Sequence, residues 1–241
     1  MAAEIRIGTS GWHYKHWKGP FYPPDLPASK MLDSYLQHFN TVEINNTFYR
    51  LPSETALAAW RDSTPANFRF AVKGSRYLTH MKKLADPERG LEKFLSCATI
   101  LGPKLGPILF QLPPFLDSKP ERLDAFLGAL PPSLRCAFEF RHPGWHSPEI
   151  YQLLRMYKAA FCIFDIDGFQ SPVEVTADFA YIRLHGPGGR YQGSYSGASL
   201  DRWAEHIRAW RKRLQAVYVY FDNDQAGYAP QNALELKKLL V

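Results

Sequence analysis

Short apolar runs alternate with amphipathic helical stretches along this chain, and that alternation restricts it to a largely parallel α/β sheet. The apolar runs are 5–8, 42–46, 68–73, 107–111, 135–140, 160–165, 179–185 and 217–222. Helical faces fall between them. Ser29 is placed to cap a helix with Met31, Leu32, Tyr35, Leu36 and Phe39 on one side. Ser53 opens a helix bearing Leu57 and Trp60. Leu91, Phe94, Leu95, Ala98 and Leu101 mark the third, and Leu123, Phe126, Leu127 and Leu130 the fourth. Ser147-Pro148-Glu149 is a cap with Pro at the first helical position, followed by Ile150, Leu153, Leu154 and Tyr157. Ser199 is placed to cap a helix with Leu200, Trp203, Ile207, Trp210 and Leu214, and Pro230 opens a closing helix. The stretch after the sixth strand, 168–178, has no helical pattern.

Eight such strands close into a (β/α)8 TIM barrel, irregular after strand 6, with 1–241 as a single domain. An open doubly wound sheet would want a nucleotide fingerprint after the first strand, and Gly8-Thr9-Ser10-Gly11 is not one. An apolar share of 46% supplies the core, yet no run reaches the ~18 residues of a membrane span. Met1-Ala2-Ala3-Glu4 leads straight into a strand and leaves no room for a signal peptide. Cys97, Cys136 and Cys162 lack metal-type spacing and read as reduced core residues of a cytoplasmic protein. The formal charge of +6 favours anionic partners, nucleic acid among them.

The run 137–145, Ala-Phe-Glu-Phe-Arg-His-Pro-Gly-Trp, shows what the strand ends carry. Phe138 and Phe140 fall on one face, Glu139 and Arg141 on the other, and the strand breaks at His142-Pro143-Gly144. The same pattern recurs as Glu43 and Asn45, Lys73, Gln111, Asp165, Arg183 and His185, and Asp222. One polar layer at the C-terminal strand ends is therefore expected, where barrels of this kind keep their active sites. A buried salt-bridge plug is the alternative, although buried pairs add little net stability. The loops above add Trp12, His13, Tyr14, Trp17, Asn46, Tyr49, Ser75, Arg76, Tyr77, Thr79 and His80, groups suited to a sugar ring or a nucleobase. Phe21 and Phe48 are expected to pack these loops down. The loop 186–198 holds five glycines with Arg190, Tyr191 and Tyr195 but lacks a phosphate-loop ending, and reads as a lid or anion cradle.

These residues resemble the YecE-like family of TIM-barrel proteins of unknown function, over about 5–240. The matching stretches are Gly8-Thr9-Ser10-Gly11-Trp12, Val42-Glu43-Ile44-Asn45 with Thr47-Phe48-Tyr49, Val72-Lys73 with Thr79-His80, Leu109-Phe110-Gln111-Leu112-Pro113, Glu139-Phe140-Arg141-His142, Arg183-Leu184-His185-Gly186 and Tyr220-Phe221-Asp222-Asn223. The resemblance implies a barrel related to sugar isomerases and metal-dependent endonucleases, without supplying a reaction. Where the family pattern has Asn more often, this chain has Asp222, which adds a carboxylate.

Three chemistries fit the pattern. The first is an enzyme, hydrolase or isomerase, on a phosphate- or sugar-bearing ligand. In it Lys73, Arg141 and Arg183 neutralise phosphate, Glu43, Glu139, His185 and Asp222 are the catalytic candidates, and Trp12, Asn45, Tyr49, Arg76, His80, Gln111, Tyr191 and Asn223 complete the binding set. The second is a metal-dependent isomerase or phosphodiesterase, with a divalent metal among Glu43, Glu139, Asp165, His185 and Asp222. Against it, the cations of the same ring would repel such an ion. The third is a binding module without turnover, for nucleic acid or a small ligand. Ser10 and Ser75 show no His-Asp arrangement and make weak nucleophiles; His13, His16, His38, His146 and His206 read as surface or packing residues.

Overall fold

The computed structural model describes residues 3–240; Met1, Ala2 and Val241, with the chain start on which the leader expectation rests, lie outside the described residues. In chain order the elements are β1 (Glu4–Thr9), α1 (Met31–Leu36), β2 (Thr41–Ile44), α2 (Glu54–Ser63), β3 (Arg69–Lys73), α3 (Pro87–Ala98), β4 (Leu105–Leu112) and α4 (Pro120–Gly128). There follow β5 (Cys136–Phe140), α5 (Pro148–Met156), β6 (Ala160–Ile166), the two-residue β7 (Phe169–Gln170), β8 (Phe179–Leu184), α6 (Gly197–Arg211), β9 (Ala216–Phe221) and α7 (Tyr228–Lys238).

Strand neighbours run β1-β9-β8-β6-β5-β4-β3-β2, with β7 folded antiparallel onto β6. The registers of β1 on β9, β8 on β9, β3 on β4, β4 on β5 and β5 on β6 are parallel. A bridge between Ser10 and Glu43 then brings the end of β1 beside β2, with the Gly11 amide 2.8 Å from the Glu43 carbonyl. This is the nearly closed, TIM-barrel-like (β/α)8 order that the alternation predicts. The helix missing from the pattern after the sixth strand is missing in the fold as well, replaced by β7.

The chain groups into two compact units: Met1–Glu43 with Ile163–Ser171 and Phe179–Val241, and Ile44–Cys162 with Pro172–Asp178. In the first, Ile7, Val217, Val219, Leu200, Ile207, Ala233 and Leu236 are buried where β1 and β9 meet α6 and α7. In the second the core is aromatic. Phe138 meets Phe126 of α4 edge-on at 6.0 Å and Phe110 of β4 at 5.3 Å, and Phe140 stacks on Trp145 at 4.8 Å. The apolar face of β5 thus points at its helices, and Glu139, one residue out of step, points the other way.

Two helix starts differ from expectation. Ser29 lies inside a 3-10 turn, Ala28–Lys30, that leads into α1, so it does not cap that helix. For α6 the cap is Ser196, whose Oγ accepts from the Ser199 amide at 3.3 Å. Ser53 and Ser147 cap α2 and α5 as read. Pro230 is the third residue of α7, which begins at Tyr228. Cys136 and Cys162 are buried and Cys97 half-buried, all as free thiols. Among the described residues no helix is long and apolar enough to cross a membrane.

Candidate functional site

In the first unit the side-chain period of two along β8 puts Tyr181, Arg183 and then His185 on one face. Glu43, fully buried, receives three donors. Ser10 Oγ donates at 2.6 Å to Oε1, Tyr181 OH at 2.6 Å to Oε2, and Arg183 donates Nε to both oxygens at 3.1 Å and Nη2 to Oε1 at 2.8 Å. Arg183, itself without solvent exposure, also donates Nη2 to Asp222 Oδ2 at 3.0 Å. Asp222 Oδ2 lies 3.0 Å from His185 Nδ1 as well. His185 Nε2 is 3.2 Å from Arg183 Nη1. A guanidinium only donates, so Nε2 accepts and the imidazole proton belongs on Nδ1, facing Asp222.

Burial, and then the Glu43 charge, push the Tyr181 hydroxyl well above its usual range, so it stays a donor. Tyr14 is raised by burial first, then by Asp222, Asp224 and Glu43. Asp165, half-buried, is raised by burial; His185 and a hydrogen bond with Tyr195 pull it partly back. Beyond β8 the chain turns at Gly186, whose φ is +109° and whose amide donates to Tyr195 OH at 3.0 Å. Tyr191, exposed, donates its amide to the His185 carbonyl at 2.7 Å, and its ring lies 5.7 Å from the imidazole. Asn223 is buried and donates to Gly193 O and Asn232 Oδ1, each at 2.9 Å, which ties the Gly-rich loop to the end of β9. Trp12 is buried, and its carbonyl accepts from Tyr22 OH at 2.7 Å.

The second unit gathers a different set. Phe48, buried after β2, is its floor. Lys73 Nζ sits 4.7 Å above the ring and His80 meets it edge-on at 5.0 Å. His80 Nδ1 lies 2.9 Å from Thr79 Oγ1. Burial, followed by the charges of Lys73, Arg76 and Arg141, pushes the His80 pKa down to about 4, against the opposing pull of Glu139. Arg141 Nε donates to buried Glu139 at 2.6 Å. Gln111 turns its amide to the Leu112 carbonyl at 2.8 Å. Asn45 is half-buried with Oδ1 lacking a hydrogen-bond partner, Arg76 is exposed, and Tyr49 is 79% exposed.

The strand-end residues therefore assemble into two clusters: Glu43, Arg183, His185 and Asp222 in one unit, and Lys73, His80, Glu139 and Arg141 in the other. Ser10 and Tyr181 join the first cluster from outside the polar set expected at the strand ends. Tyr181 carries a legible signal, since it precedes Arg183 by two on one strand. Phe48, expected only to pack a loop, is the ring that Lys73 and His80 share. Two of the carboxylates named for a divalent ion are already engaged: Glu43 has both oxygens on Ser10, Tyr181 and Arg183, and Asp222 holds Arg183 and His185. Among the described residues no group of three His, Cys, Asp or Glu side chains is disposed to hold a metal.

The chain is similar to known proteins over nearly its whole length. A family model described as "Protein of unknown function DUF72" matches residues 6–241. The UPF0759 protein YunF of Bacillus subtilis is 29% identical over 98% of this chain and 94% of its own. The UPF0759 protein YecE of Escherichia coli K12 is 35% identical over 58% of this chain and 49% of its own. A DUF72 family protein of Thermotoga maritima has a crystal structure that superposes with a TM-score of 0.90 at 31% identity, covering 98% of this chain and 99% of that one. One from Enterococcus faecalis, at 22% identity, shares the fold with a TM-score of 0.85 over 98% of this chain and 95% of its own. With nearly its whole length matched, the chain belongs to the DUF72 family, the YecE-like family that its strand-end motifs resemble.

Proposed function

We propose that the protein is a hydrolase of phosphate-bearing substrates, working at the strand ends of the unit Ile44–Cys162. One observation carries this: Lys73 Nζ and the His80 ring share the Phe48 ring, at 4.7 and 5.0 Å, beside the Arg141–Glu139 pair, and the charges of Lys73, Arg76 and Arg141 push His80 down with Glu139 opposing them. A site with three positive charges against one negative suits a phosphoryl group, on which guanidinium and ammonium groups stabilise developing charge. His80, held neutral well below pH 7, accepts a proton from attacking water through the Nε2 that Thr79 leaves to it. Tyr49 offers a ring to a sugar or base. Glu139 orients Arg141. Arg183, spent on Glu43 and Asp222, acts as a positioning residue for His185 and takes no phosphate itself. Free thiols suit work in the reducing cytoplasm.

The test follows the His80 ring by NMR during titration with inorganic phosphate and pyrophosphate, alongside turnover of phosphomonoesters, phosphodiesters and phosphosugars. Phosphate is expected to raise the His80 pKa from about 4, and Arg76→Gln to weaken binding about tenfold, the effect of ~1.4 kcal/mol. Interconversion of phosphosugars without hydrolysis would replace the hydrolase with an isomerase. Binding without any turnover would leave a binding module, and no phosphate response at His80 would remove the reading altogether.

A further inference from the structure

Four large apolar side chains on the loops of the second unit stand in solvent: Tyr49 is 79% exposed, Tyr77 45%, Met81 68% and Phe115 70%. Scattered singly, such residues need no explanation. These are linked. Lys83 Nζ lies 5.8 Å from the Phe115 ring centroid. Two residues before Lys83 is Met81, the last residue of the turn Tyr77–Met81 that carries His80. The His80 ring meets Phe48, and Phe48 meets Tyr49 edge-on at 5.0 Å. Ring contacts and chain neighbours thus connect Phe115 to Tyr49, by way of the buried Phe48 ring.

Each exposed ring or thioether in the run has a cation beside it in chain or in space. Tyr49 precedes Arg50, Tyr77 follows Arg76, Met81 precedes Lys82 and Lys83, and Phe115 lies under Lys83. Of the carboxylates nearby, Asp86 pairs with Lys82 at 3.1 Å and Glu139 with Arg141, while Asp117, two residues after Phe115, is exposed and lies 3.5 Å from His142 Nδ1. A protein-docking patch shares the aromatics, Met and Arg of this run but is depleted in Lys, and Lys82 and Lys83 stand within it. Flat exposed rings interleaved with Lys and Arg match a polyanion with stackable bases. A duplex keeps its base faces covered and would leave the rings unused.

We propose that this face binds single-stranded nucleic acid, with bases on Tyr49 and Phe115 and the backbone drawn along Lys83 and Arg76 toward Lys73. This rests on the phosphate-site reading for one step only, that the strand is the substrate: the phosphoryl group handled at His80 is then a phosphodiester of the bound strand. The water oxygen bonds to phosphorus as the bond from phosphorus to the leaving oxygen breaks; His80 takes the water proton, and the leaving alkoxide takes a proton from solvent to depart as an alcohol.

The test is fluorescence anisotropy with labelled strands of about 12 nucleotides, within the roughly 4–16 nucleotides such sites span, as DNA and as RNA, at several salt concentrations. Single strands should bind more tightly than the matching duplex. Tyr49→Ala and Phe115→Ala should each weaken binding about 5- to 160-fold, the range of one lost base stack, with unchanged unfolding curves because both side chains are exposed. Lys83→Gln should shallow the slope of log affinity on log salt by about 0.7. No single-strand binding, equal affinity for duplex, or unaltered binding by both aromatic variants overturns the proposal. Phosphate bound at His80 by a protein that ignores strands overturns it too, and leaves the phosphate reading standing with a small substrate. Aromatic-dependent strand binding with no phosphate response at His80 overturns the step that makes the strand a substrate.

Discussion

Arg183 lies along Glu43 with its Nε 3.1 Å from both carboxylate oxygens and its Nη2 2.8 Å from one, and neither side chain has any solvent exposure. The two are 140 residues apart in the chain. Desolvating both charges is costly, and the compensation comes from Ser10, Tyr181 and Asp222 completing the network. Removing one charge leaves the other buried. Arg183→Met should therefore lower stability by about 3–5 kcal/mol, measured by urea denaturation. Glu43→Gln combined with Arg183→Met should recover much of that loss. If either single variant unfolds at the same urea concentration as the parent, the network is not what holds this end of the unit together.

The second cluster makes a prediction about acid. The His80 pKa falls from its ordinary 6.5 to about 4, through burial first and then through Lys73, Arg76 and Arg141. Between those values the unfolded chain binds a proton that the folded chain refuses. The contribution of His80 to stability is therefore whole above about pH 6.5 and is lost progressively as pH falls toward 4. His80→Gln should flatten this part of the pH–stability curve, read from urea midpoints across the range. An unchanged slope between pH 6.5 and 4 would place the acid sensitivity elsewhere. Phosphate should act in the opposite direction on the parent, raising the His80 pKa and easing the acid loss.

How the strand ends read in the sequence explains which parts of this were visible in advance. A period of two, with a break at Gly74, Pro143 and Gly186, was enough to put Lys73, Glu139, Arg183 and His185 at strand ends, and the period with a polar run after it put Glu43 and Asp222 there, because these signals are local. Pairing is not local. That Arg183 takes Glu43, while Arg141 takes Glu139, depends on register across strands that lie far apart in the chain. Ser10 and Tyr181 become meaningful only once Glu43 is between them. The start of α6 differs from the sequence reading for a smaller reason. Ser196 and Ser199 are three apart, either satisfies the capping pattern, and only the backbone reveals that the Ser199 amide is the donor. Phe48 read as loop packing because an aromatic ring carries no sign of which cation will sit on it.

Gly186 sits where β8 turns into the Gly-rich loop, and its place is fixed twice over. Its φ of +109° is one that a residue with a Cβ rarely adopts, and an added Cβ would lie 2.2 Å from the Gln192 carbonyl oxygen. Backbone cannot give way as a flexible side chain would. Gly186→Ala should cost more than about 1 kcal/mol and shift the loop. The shift should be visible as altered chemical environment at Tyr191, whose amide donates to the His185 carbonyl, and at Tyr195, whose hydroxyl accepts from the Gly186 amide. Wild-type spectra and stability in this variant would mean the loop is free to rearrange without strain.

The thiols separate by burial, and that order can be read with a thiol reagent. Burial pushes the Cys136 thiol up to about 12, and Cys162 has no exposure. Cys97 is half-buried at the end of α3, its thiol raised by burial and by the charge of Glu54. The thiolate is the reactive form, so none of the three should react quickly at neutral pH. Cys97 should still react in the native protein, slowly, while Cys136 and Cys162 wait for unfolding. Cys97→Ser should abolish native-state labelling, and urea should then expose the remaining two thiols together with the loss of structure. Rapid labelling of Cys136 below the unfolding transition would mean that β5 opens locally, which would also loosen the Glu139–Arg141 pair that the strand carries.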